Sequence, residues 1–324
     1  MRACGDSRWN GSSARARRVV MIHVVGNAAV DTVIRIDRFP RPGQTIVAGS
    51  VAEDLGGKGT NQAIVMARCG QDVRLIAAVG ADAAGDRIRK NLAAEGVQTD
   101  GIRTWPGPTD RCVIYVDNGG ENTIVSLIDA AAKFDPIAEQ SMEREVAPGD
   151  WMMLQGNLRA SVTMACLALA KRRGATTALN PSPVYPAADY DWSLVDLVVL
   201  NRREAVALGV RSDPLEAAHA LLSAGAKVVV LTLGAGGAIF LSARDTLHVQ
   251  APRVPAVDST GAGDVFCAVI VAARAAGRAW TEALTLAARA AAICVSRAGT
   301  LASFPTREEL EVIFRRGLVA ESGT

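Results

Sequence analysis

The second half of the chain alternates between short apolar runs and longer helical patterns, and this alternation restricts the fold more than any other feature. Such a rhythm is typical of βαβ units, whose strands are parallel and whose helices cover both faces of the sheet. We therefore predict an α/β fold with a parallel sheet. The predicted strands lie near 151–154, 176–179, 195–200 and 227–233, and the predicted helices at 160–173, 202–208, 214–224, 264–276, 281–297 and 306–316.

The first half opens with an apolar run, 19–26, that is interrupted by His23 and predicts another buried strand. We interpret His23 as a packed residue rather than a ligand. A strand at 73–79 and a helix at 83–95 follow. In open α/β sheets, ligands bind outside the carboxyl ends of the strands. Candidate site residues are therefore polar residues that follow strands, namely Asp31, Asn157, Asn180 and Asn201.

An accessory sheet is predicted beside the main one. Residues 32–36 favour a strand, the proline-rich turn at 39–43 excludes a helix, and 45–47 is strand-like again. Asn118-Gly119 lies between two β-rich runs, which is a strong hairpin signal. We expect the segments 32–54 and 109–127 to form this smaller sheet together.

A glycine-rich turn, Asp258-Ser-Thr-Gly-Ala-Gly-Asp264, runs directly into an apolar helical segment. The first turn of a helix leaves N–H groups unpaired at the positive end of the helix dipole, which favours a bound phosphate. Gly261, Ala262 and Gly263 are therefore candidates for an anion hole. A carboxylate beside it, Asp264, could take a proton from an attacking hydroxyl. The alternative is that Asp264 only caps the helix.

A second glycine cluster, Leu55-Gly-Gly-Lys-Gly-Thr-Asn-Gln-Ala63, precedes another helical segment. It is not a P-loop, because Lys58 is followed by Gly59 rather than by Ser or Thr, and it does not follow the first strand as a dinucleotide fingerprint would. Its glycines let a polyol approach the backbone, and the Asn61 amide can both donate and accept hydrogen bonds. A plain tight turn before a helix is the alternative.

Two further motifs point toward a nucleotide. Asn201 and Glu204 share one face of a predicted helix start and could orient waters around Mg²⁺. Taken alone, the two residues favour the alternative, a capping role. Thr232-Leu-Gly234 opens another glycine cluster, which indicates either room for a nucleotide or a hairpin turn.

Composition excludes several classes of protein. The chain has 324 residues, 49% of them apolar, and a formal net charge of +2, which argues against a nucleic-acid binder. Six scattered Cys without a Cys-x-x-Cys pair predict reduced thiols in the cytoplasm, and three His make a His-based metal site improbable. No apolar run is long enough to span a membrane. Residues 1–18 are predicted to be a disordered extension, and translation beginning at Met21 is an alternative.

Taken together, these motifs resemble those of the ribokinase family, the PfkB-type carbohydrate kinases, over residues 19–318. The resemblance rests on the two glycine clusters, on Asn180-Pro-Ser-Pro183, on Asn201-x-x-Glu204 and on Thr232-Leu-Gly234, all in the family's order. It implies a single three-layer α/β/α kinase domain over 19–324, with the accessory sheet as a lid. It also implies transfer of the γ-phosphoryl group of ATP to a sugar hydroxyl with Mg²⁺, and a homodimer formed through the lid.

The resemblance also implies roles for individual residues. Asp264 would be the base, and Gly261, Ala262 and Gly263 the anion hole. Asn201 and Glu204 would organise Mg²⁺, with Glu204 acting through water, and Thr232, Gly234 and Gly263 would contact the nucleotide. The sugar would be held by Asp31, Gly57, Lys58, Asn61 and Asn157, together with Asp264. A monovalent cation, K⁺, would be bound by Asp258, Thr260, Arg297, Gly299 and Ser303, mostly through backbone oxygens.

Two positions depart from the ribokinase pattern. Ala29 stands where ribokinases usually have Asn, and Asn157 where they have Glu. Both changes remove polar contacts to the sugar, so another pentose, a ketohexose, a sugar acid or a nucleoside stays open as the substrate. A nucleoside kinase would be expected to carry more than 4% aromatic residues. A non-catalytic sugar-binding regulator would be expected to lack Asp264 or its turn, and a nicotinamide dehydrogenase would carry a dinucleotide fingerprint.

Overall fold

A computed structural model describes residues 19–119, 121–138, 141–185, 190–208 and 211–316. The predicted N-terminal extension, 1–18, lies outside the described residues. The strands are β1 (Met21–Val25), β2 (Ala29–Arg35), β3 (Ser50–Gly56), β4 (Asp72–Gly80), β5 (Ile102–Trp105), β6 (Asp110–Val116), β7 (Asn122–Leu127), β8 (Trp151–Gln155), β9 (Thr176–Asn180), β10 (Leu197–Asn201), β11 (Val228–Thr232), β12 (Ala238–Ser242) and β13 (Thr246–Val249). The helices are α1 (Lys58–Arg68), α2 (Ala83–Ala94), α3 (Asp129–Lys133), α4 (Ser141–Glu145), α5 (Ala160–Arg172), α6 (Arg202–Ala207), α7 (Pro214–Ser223), α8 (Ala262–Ala275), α9 (Trp280–Val295) and α10 (Arg307–Arg316).

The main sheet has the strand order β13-β12-β11-β10-β9-β8-β1-β4-β5 within the described part of the chain. Neighbouring strands from β11 to β5 are parallel, and β12 runs antiparallel to both of its neighbours. The predicted parallel sheet is therefore confirmed. β12 and β13 form a hairpin extension, and the turn at Gly234–Gly236, a short 3-10 helix, connects β11 to β12. The glycine cluster that begins at Thr232 therefore forms a hairpin turn, which was one of its two interpretations.

Helices cover both faces of the sheet, which gives three layers and two apolar cores. One core joins the sheet to α1, α2, α8, α9 and α10, and includes the fully buried side chains of Ile64, Met66 and Phe304. The other joins the opposite face to α5, α6 and α7, with Leu154 and Leu167 fully buried. Alternate residues of a parallel strand face opposite cores, and for this reason strands such as β8 are apolar throughout.

The smaller sheet has the order β3-β2-β6-β7. β6 and β7 form the predicted hairpin, and β2 pairs with β6 in parallel. The prediction of a strand at 45–47 was wrong, because the strand that pairs with β2 begins at Ser50 and runs to Gly56. The proline-containing connection before it has no strand, and Val47 is 89% exposed. Pairing of Arg35 with Ser50 sets the register, and apolarity at 45–47 does not decide it.

Candidate active site

The glycine-rich turn before α8 places its last residue, Asp264, inside the helix. The N-cap is Gly261, in the left-handed conformation with φ 79°, and Asp264 is the third helical residue. Asp264 is therefore not the capping residue, and that alternative is wrong. A Cβ at position 261 would lie 2.4 Å from the Phe304 ring, so this turn requires glycine for both its conformation and its packing. One of the three predicted anion-hole amides already has a partner, because Ala262 N donates to Ser259 O at 3.3 Å.

Three donors from the first turn of α1 surround the Asp264 carboxylate, which is 5% exposed. Asn61 Nδ2 donates to Oδ2 at 3.0 Å, and Gln62 Nε2 donates to Oδ1 at 3.1 Å. The Lys58 ammonium lies 3.5 Å from Oδ1 and is about one-third exposed. The charge of Asp264 raises the pKa of Lys58, so the ammonium stays charged at neutral pH. These donors compensate a charge that burial alone would destabilise.

The second glycine cluster fixes where α1 begins. Gly57 is its N-cap, with φ 87°, and a Cβ there would lie 2.9 Å from Asn27 O and 3.0 Å from Ala29 N. Glycine therefore lets the start of α1 pack against the backbone that connects β1 to β2. This contact brings Lys58, Asn61 and Gln62 together beside α8. The cluster is a tight turn, and the turn positions polar side chains.

A second feature of the predicted site residues and their neighbours is a set of buried acceptors without partners. Asp31 Oδ1, Asn61 Oδ1, Gln155 Oε1 and Asn157 Oδ1 are buried and have no hydrogen-bond partner among the described residues. Burial raises the pKa of Asp31 to about 6, and the charges of Asp54 and Asp264 add to the rise, whereas a hydrogen bond with Cys112 opposes it. Buried polar atoms in folded proteins normally have partners. A set of acceptors without them is suited to a ligand that carries hydroxyl donors.

A cleft of about 220 Å³ is lined in part by Asp264. It lies at the carboxyl ends of β9, β10 and β11, where ligands bind in this architecture. Among its lining residues are Lys58, Asn180, Asn201, Glu204, Thr232, Ser259, Gly261, Gly263, Asp264 and Cys267. Gly234 is not among these lining residues and lies in the turn between β11 and β12.

The predicted magnesium residues form a capping box. Asn201 Oδ1 accepts from Glu204 N at 2.9 Å, and Glu204 Oε2 accepts from Asn201 N at 2.9 Å. Both residues also line the cleft, so capping holds them in position beside it. Within the described ranges, no group of three or more acidic, His or Cys side chains could enclose a metal ion. A single carboxylate, that of Glu204, fits a Mg²⁺ ion that keeps most of its waters and takes its other ligands from phosphates.

The predicted monovalent-cation residues come from two loops that Asp258 joins. Its Oδ1 accepts from Thr260 N at 2.9 Å and its Oδ2 from Gly299 N at 3.3 Å. The Ser303 hydroxyl donates to Thr300 O at 2.7 Å. The Arg297 guanidinium pairs with Glu309 instead, so Arg297 could contribute only its backbone oxygen to a cation. The two loops are thus adjacent. Their backbone carbonyl oxygens are the type of ligand that a monovalent cation prefers.

Sequence reasoning assigned no role to three buried amides around Asp264. Gln62 and Gln155 are fully buried, and Gln155 Nε2 donates to Gln62 Oε1 at 2.8 Å. Asn180 was noted only as a residue at a strand end. Its Oδ1 lies 3.5 Å from Gln62 Nε2. One signal was present in the sequence, since the polar residues 60–62 directly precede an apolar run, 63–67. In the structure all of 59–67 is buried in α1.

Comparison with known proteins gives the class of protein that this fold and site define. Residues 20–307 match the family described as pfkB family carbohydrate kinase. The chain belongs to this family and is an ATP-dependent carbohydrate kinase.

Individual relatives narrow the class. The chain is 31% identical to the ribokinase of Haemophilus influenzae over 293 residues, which cover 88% of this chain and 95% of the relative. The ribokinase structure from Thermotoga maritima matches with a TM-score of 0.83 at 30% identity, covering 92% of this chain and 99% of that one. Arabidopsis thaliana ribokinase in complex with ribose and ATP matches with a TM-score of 0.80 at 26% identity and the same coverage. The chain is therefore a sugar kinase of ribokinase type.

Proposed function

We propose that this enzyme transfers the γ-phosphoryl group of ATP to a hydroxyl of a small sugar, with Asp264 as the general base. The observation that carries the proposal is the position of this carboxylate. It is buried in the first turn of α8, it lines the cleft, and it accepts a hydrogen bond from Asn61, whose own Oδ1 is a buried acceptor without a partner in the described chain. A carboxylate between a hydroxyl-binding site and a phosphate-binding site can accept the hydroxyl proton while the oxygen attacks phosphorus.

The sugar is proposed to lie on the side of the unpartnered acceptors. Asp31 and Asn157 accept hydrogen bonds from its hydroxyls, and Asn61 supplies its free Oδ1 while its amide group stays on Asp264. Gly57 is half-buried and carries no side chain of its own, so its backbone is proposed to contact the ring. Hydroxyl donors of the sugar would satisfy buried oxygens that otherwise carry a desolvation penalty.

The triphosphate is proposed to occupy the cleft. The amides of Gly261 and Gly263 at the start of α8 face the transferred group together with the helix dipole, and Ala262 joins them if its bond to Ser259 O opens. The Lys58 ammonium adds positive charge at the same point. Thr232 lines the cleft and Gly234 follows it in the turn, so both are placed on the nucleotide side.

Glu204, with Asn201, is the proposed contact for hydrated Mg²⁺, which when bound neutralises phosphate charge. Asp258, Thr260, Arg297, Gly299 and Ser303 are the proposed surroundings of K⁺. Residues 19–324 are proposed to form one cytoplasmic domain, with 32–54 and 109–127 as a lid through which two copies pair. Exposed apolar side chains on that sheet support the pairing, among them Val51, Ile124 and Val125. No helix in the described ranges is long and apolar enough to cross a membrane.

Ribose is the first candidate substrate, because the relatives named above are ribokinases and one was solved with ribose and ATP. Ala29 is a small apolar residue where ribokinases usually have Asn, and Asn157 carries no charge where they have Glu. A site with fewer polar groups discriminates less strongly between sugars that differ by one hydroxyl. Asn157→Glu is expected to raise the relative kcat/KM for ribose, and an unchanged ranking of sugars would remove this role from Asn157.

An ATP-consumption screen tests the proposal. Pentoses, 2-deoxypentoses, hexoses, sugar acids and nucleosides are compared with and without K⁺, and the product is identified by mass. We expect ATP turnover that depends on a pentose and a product heavier by one phosphoryl group. Turnover with nucleosides alone would replace the sugar by a nucleoside, and ATP consumption without any phosphorylated product would reject the proposal.

A further inference from the structure

We propose that Gln62 is a positioning residue for the catalytic carboxylate, and that two further buried amides, Gln155 and Asn180, fix its orientation. The proposal rests on the role of Asp264 as the base. Gln62 lies in α1 and is fully buried, and it is not among the residues that line the cleft. It therefore acts through Asp264 and not through direct contact with the phosphates.

The Gln62 side chain has a partner at each polar atom. Nε2 lies 3.1 Å from Asp264 Oδ1 and 3.5 Å from Asn180 Oδ1, so its two protons have two acceptors. Oε1 accepts from Gln155 Nε2 at 2.8 Å. A glutamine amide has two donor hydrogens and one acceptor oxygen, and this arrangement engages all of them.

A backbone carbonyl determines the direction of the whole chain of amides. Val199 O in β10 can only accept, so Asn180 must turn its Nδ2 toward it, at 2.9 Å, and its Oδ1 toward Gln62. If Gln62 were flipped, its Oε1 would face both Asn180 Oδ1 and Asp264 Oδ1 without a proton between them. Its Nε2 would then face the Nε2 of Gln155. The network thus keeps a donor pointed at the carboxylate.

Two neighbouring residues of α1, Asn61 and Gln62, each donate a hydrogen bond to a different oxygen of Asp264. Asn61 holds Asp264 Oδ2 and keeps its own Oδ1 unpartnered, so it faces the substrate side. Gln62 holds Oδ1 from the protein interior. With one amide on each oxygen, the plane of the carboxylate is fixed, and the base stays in the geometry that proton transfer needs.

The test replaces the donor and preserves the volume of the side chain. Gln62→Met removes both polar ends, and Gln62→Glu keeps the shape but turns an acceptor toward Asp264. We expect each variant to lower kcat about 10- to 100-fold, with KM for sugar and ATP little changed. Thr163→Val is the matched control, because Thr163 is fully buried in α5 and its hydroxyl has no partner within the described part of the chain. It should retain wild-type kinetics.

A double-mutant cycle separates positioning from a general structural effect. In an Asp264→Asn background, Gln62→Met should cause no further loss of kcat, because the group through which it acts is gone. All assays run well below the melting temperature of each variant, and the folded fraction is measured by circular dichroism. A folded Gln62→Met enzyme with wild-type kcat, or losses that multiply in the cycle, would overturn the positioning role. Wild-type turnover by Asp264→Asn alone would instead overturn the proposed base, and the positioning role with it.

Discussion

Two buried aspartates on neighbouring strands of the smaller sheet have similar acidity and different surroundings. Burial raises the pKa of Asp31 and of Asp110 to about 6 in each case. Asp110 is 1% exposed, and its two oxygens accept from Ala130 N at 2.8 Å and Ala131 N at 3.1 Å, at the start of α3. Asp31 is 7% exposed, and its Oδ1 has no partner in the described chain.

The comparison shows that a raised pKa does not by itself identify a functional carboxylate. Asp110 has a structural role, because it accepts hydrogen bonds from two backbone amides at the start of a short helix. Asp31 has one buried oxygen without a partner in the described chain, which is the feature expected of a carboxylate that accepts a hydrogen bond from a ligand. Hydrogen-bond satisfaction therefore separates the two residues where acidity does not.

The largest expected effect tests the limit of this comparison. Asp264 has partners on both oxygens, as Asp110 does, yet it borders the cleft. Asp264→Asn should lower kcat by about 10²- to 10⁴-fold, since it removes the proposed general base. Sugar affinity, measured by calorimetry without ATP, should change little. Turnover close to wild type would mean that Asp264 is structural and that satisfied partners are a sufficient criterion after all.

Asp31→Asn should have the next largest effect, and it should fall on substrate binding. Replacing a charged acceptor by a neutral amide is expected to raise the sugar KM about 10- to 100-fold, because hydrogen bonds to charged groups contribute about 1.5–3 kcal/mol. Steady-state kinetics over a range of sugar concentrations measure the change. The melting temperature without sugar should stay the same or rise. An unaltered KM would place Asp31 in the structural class with Asp110.

Asp110→Ala should show the opposite pattern. Loss of both acceptors leaves two amides of α3 without partners, so the free energy of unfolding should fall by about 1–2 kcal/mol. Urea unfolding monitored by circular dichroism gives this value. The kinetic constants should stay within about twofold of wild type at a temperature where the variant is folded. A large change in sugar KM with intact stability would contradict the assignment.

The smallest effect concerns pH. Asp31 has a folded pKa of about 6 against an ordinary value of 3.8, so the native state binds more protons than the unfolded state between these values. Ionised Asp31 therefore lowers stability above about pH 6, and this cost disappears as the pH falls toward 4. The unfolding free energy of Asp31→Asn minus that of wild type should be larger at pH 7 than at pH 4, by on the order of 1 kcal/mol.

Saturating sugar sharpens the same measurement. A hydroxyl donor stabilises the charged form of Asp31, so bound sugar should reduce the pH-dependent difference between this variant and wild type. The corresponding difference for Asp110→Ala should not respond to sugar. A response of equal size in both variants would show that the two carboxylates do not differ in the way proposed.

Much of the fold was predictable from the sequence because the relevant signals are local. Apolar runs of strand length separated by helical patterns predicted the parallel sheet, and Asn118-Gly119 predicted the β6–β7 hairpin. The strand expected at 45–47 was wrong because strand position depends on pairing with β2, which local composition does not encode. The motifs identified the residues of the proposed site, and the roles of these residues are predictions that the experiments above test.

The sequence by itself determined the alternation of strands and helices over 151–233 and the two glycine turns, since periodicity and permitted backbone angles are properties of neighbouring residues. Only the tertiary structure decided that Asp264 receives hydrogen bonds from Gln62 and Asn61. These two residues lie 202 and 203 positions earlier in the chain. The tertiary structure also decided which buried oxygens have no partner in the described chain. Hydrogen bonds between distant segments depend on how the sheet brings the ends of its strands together, and no local pattern carries that information.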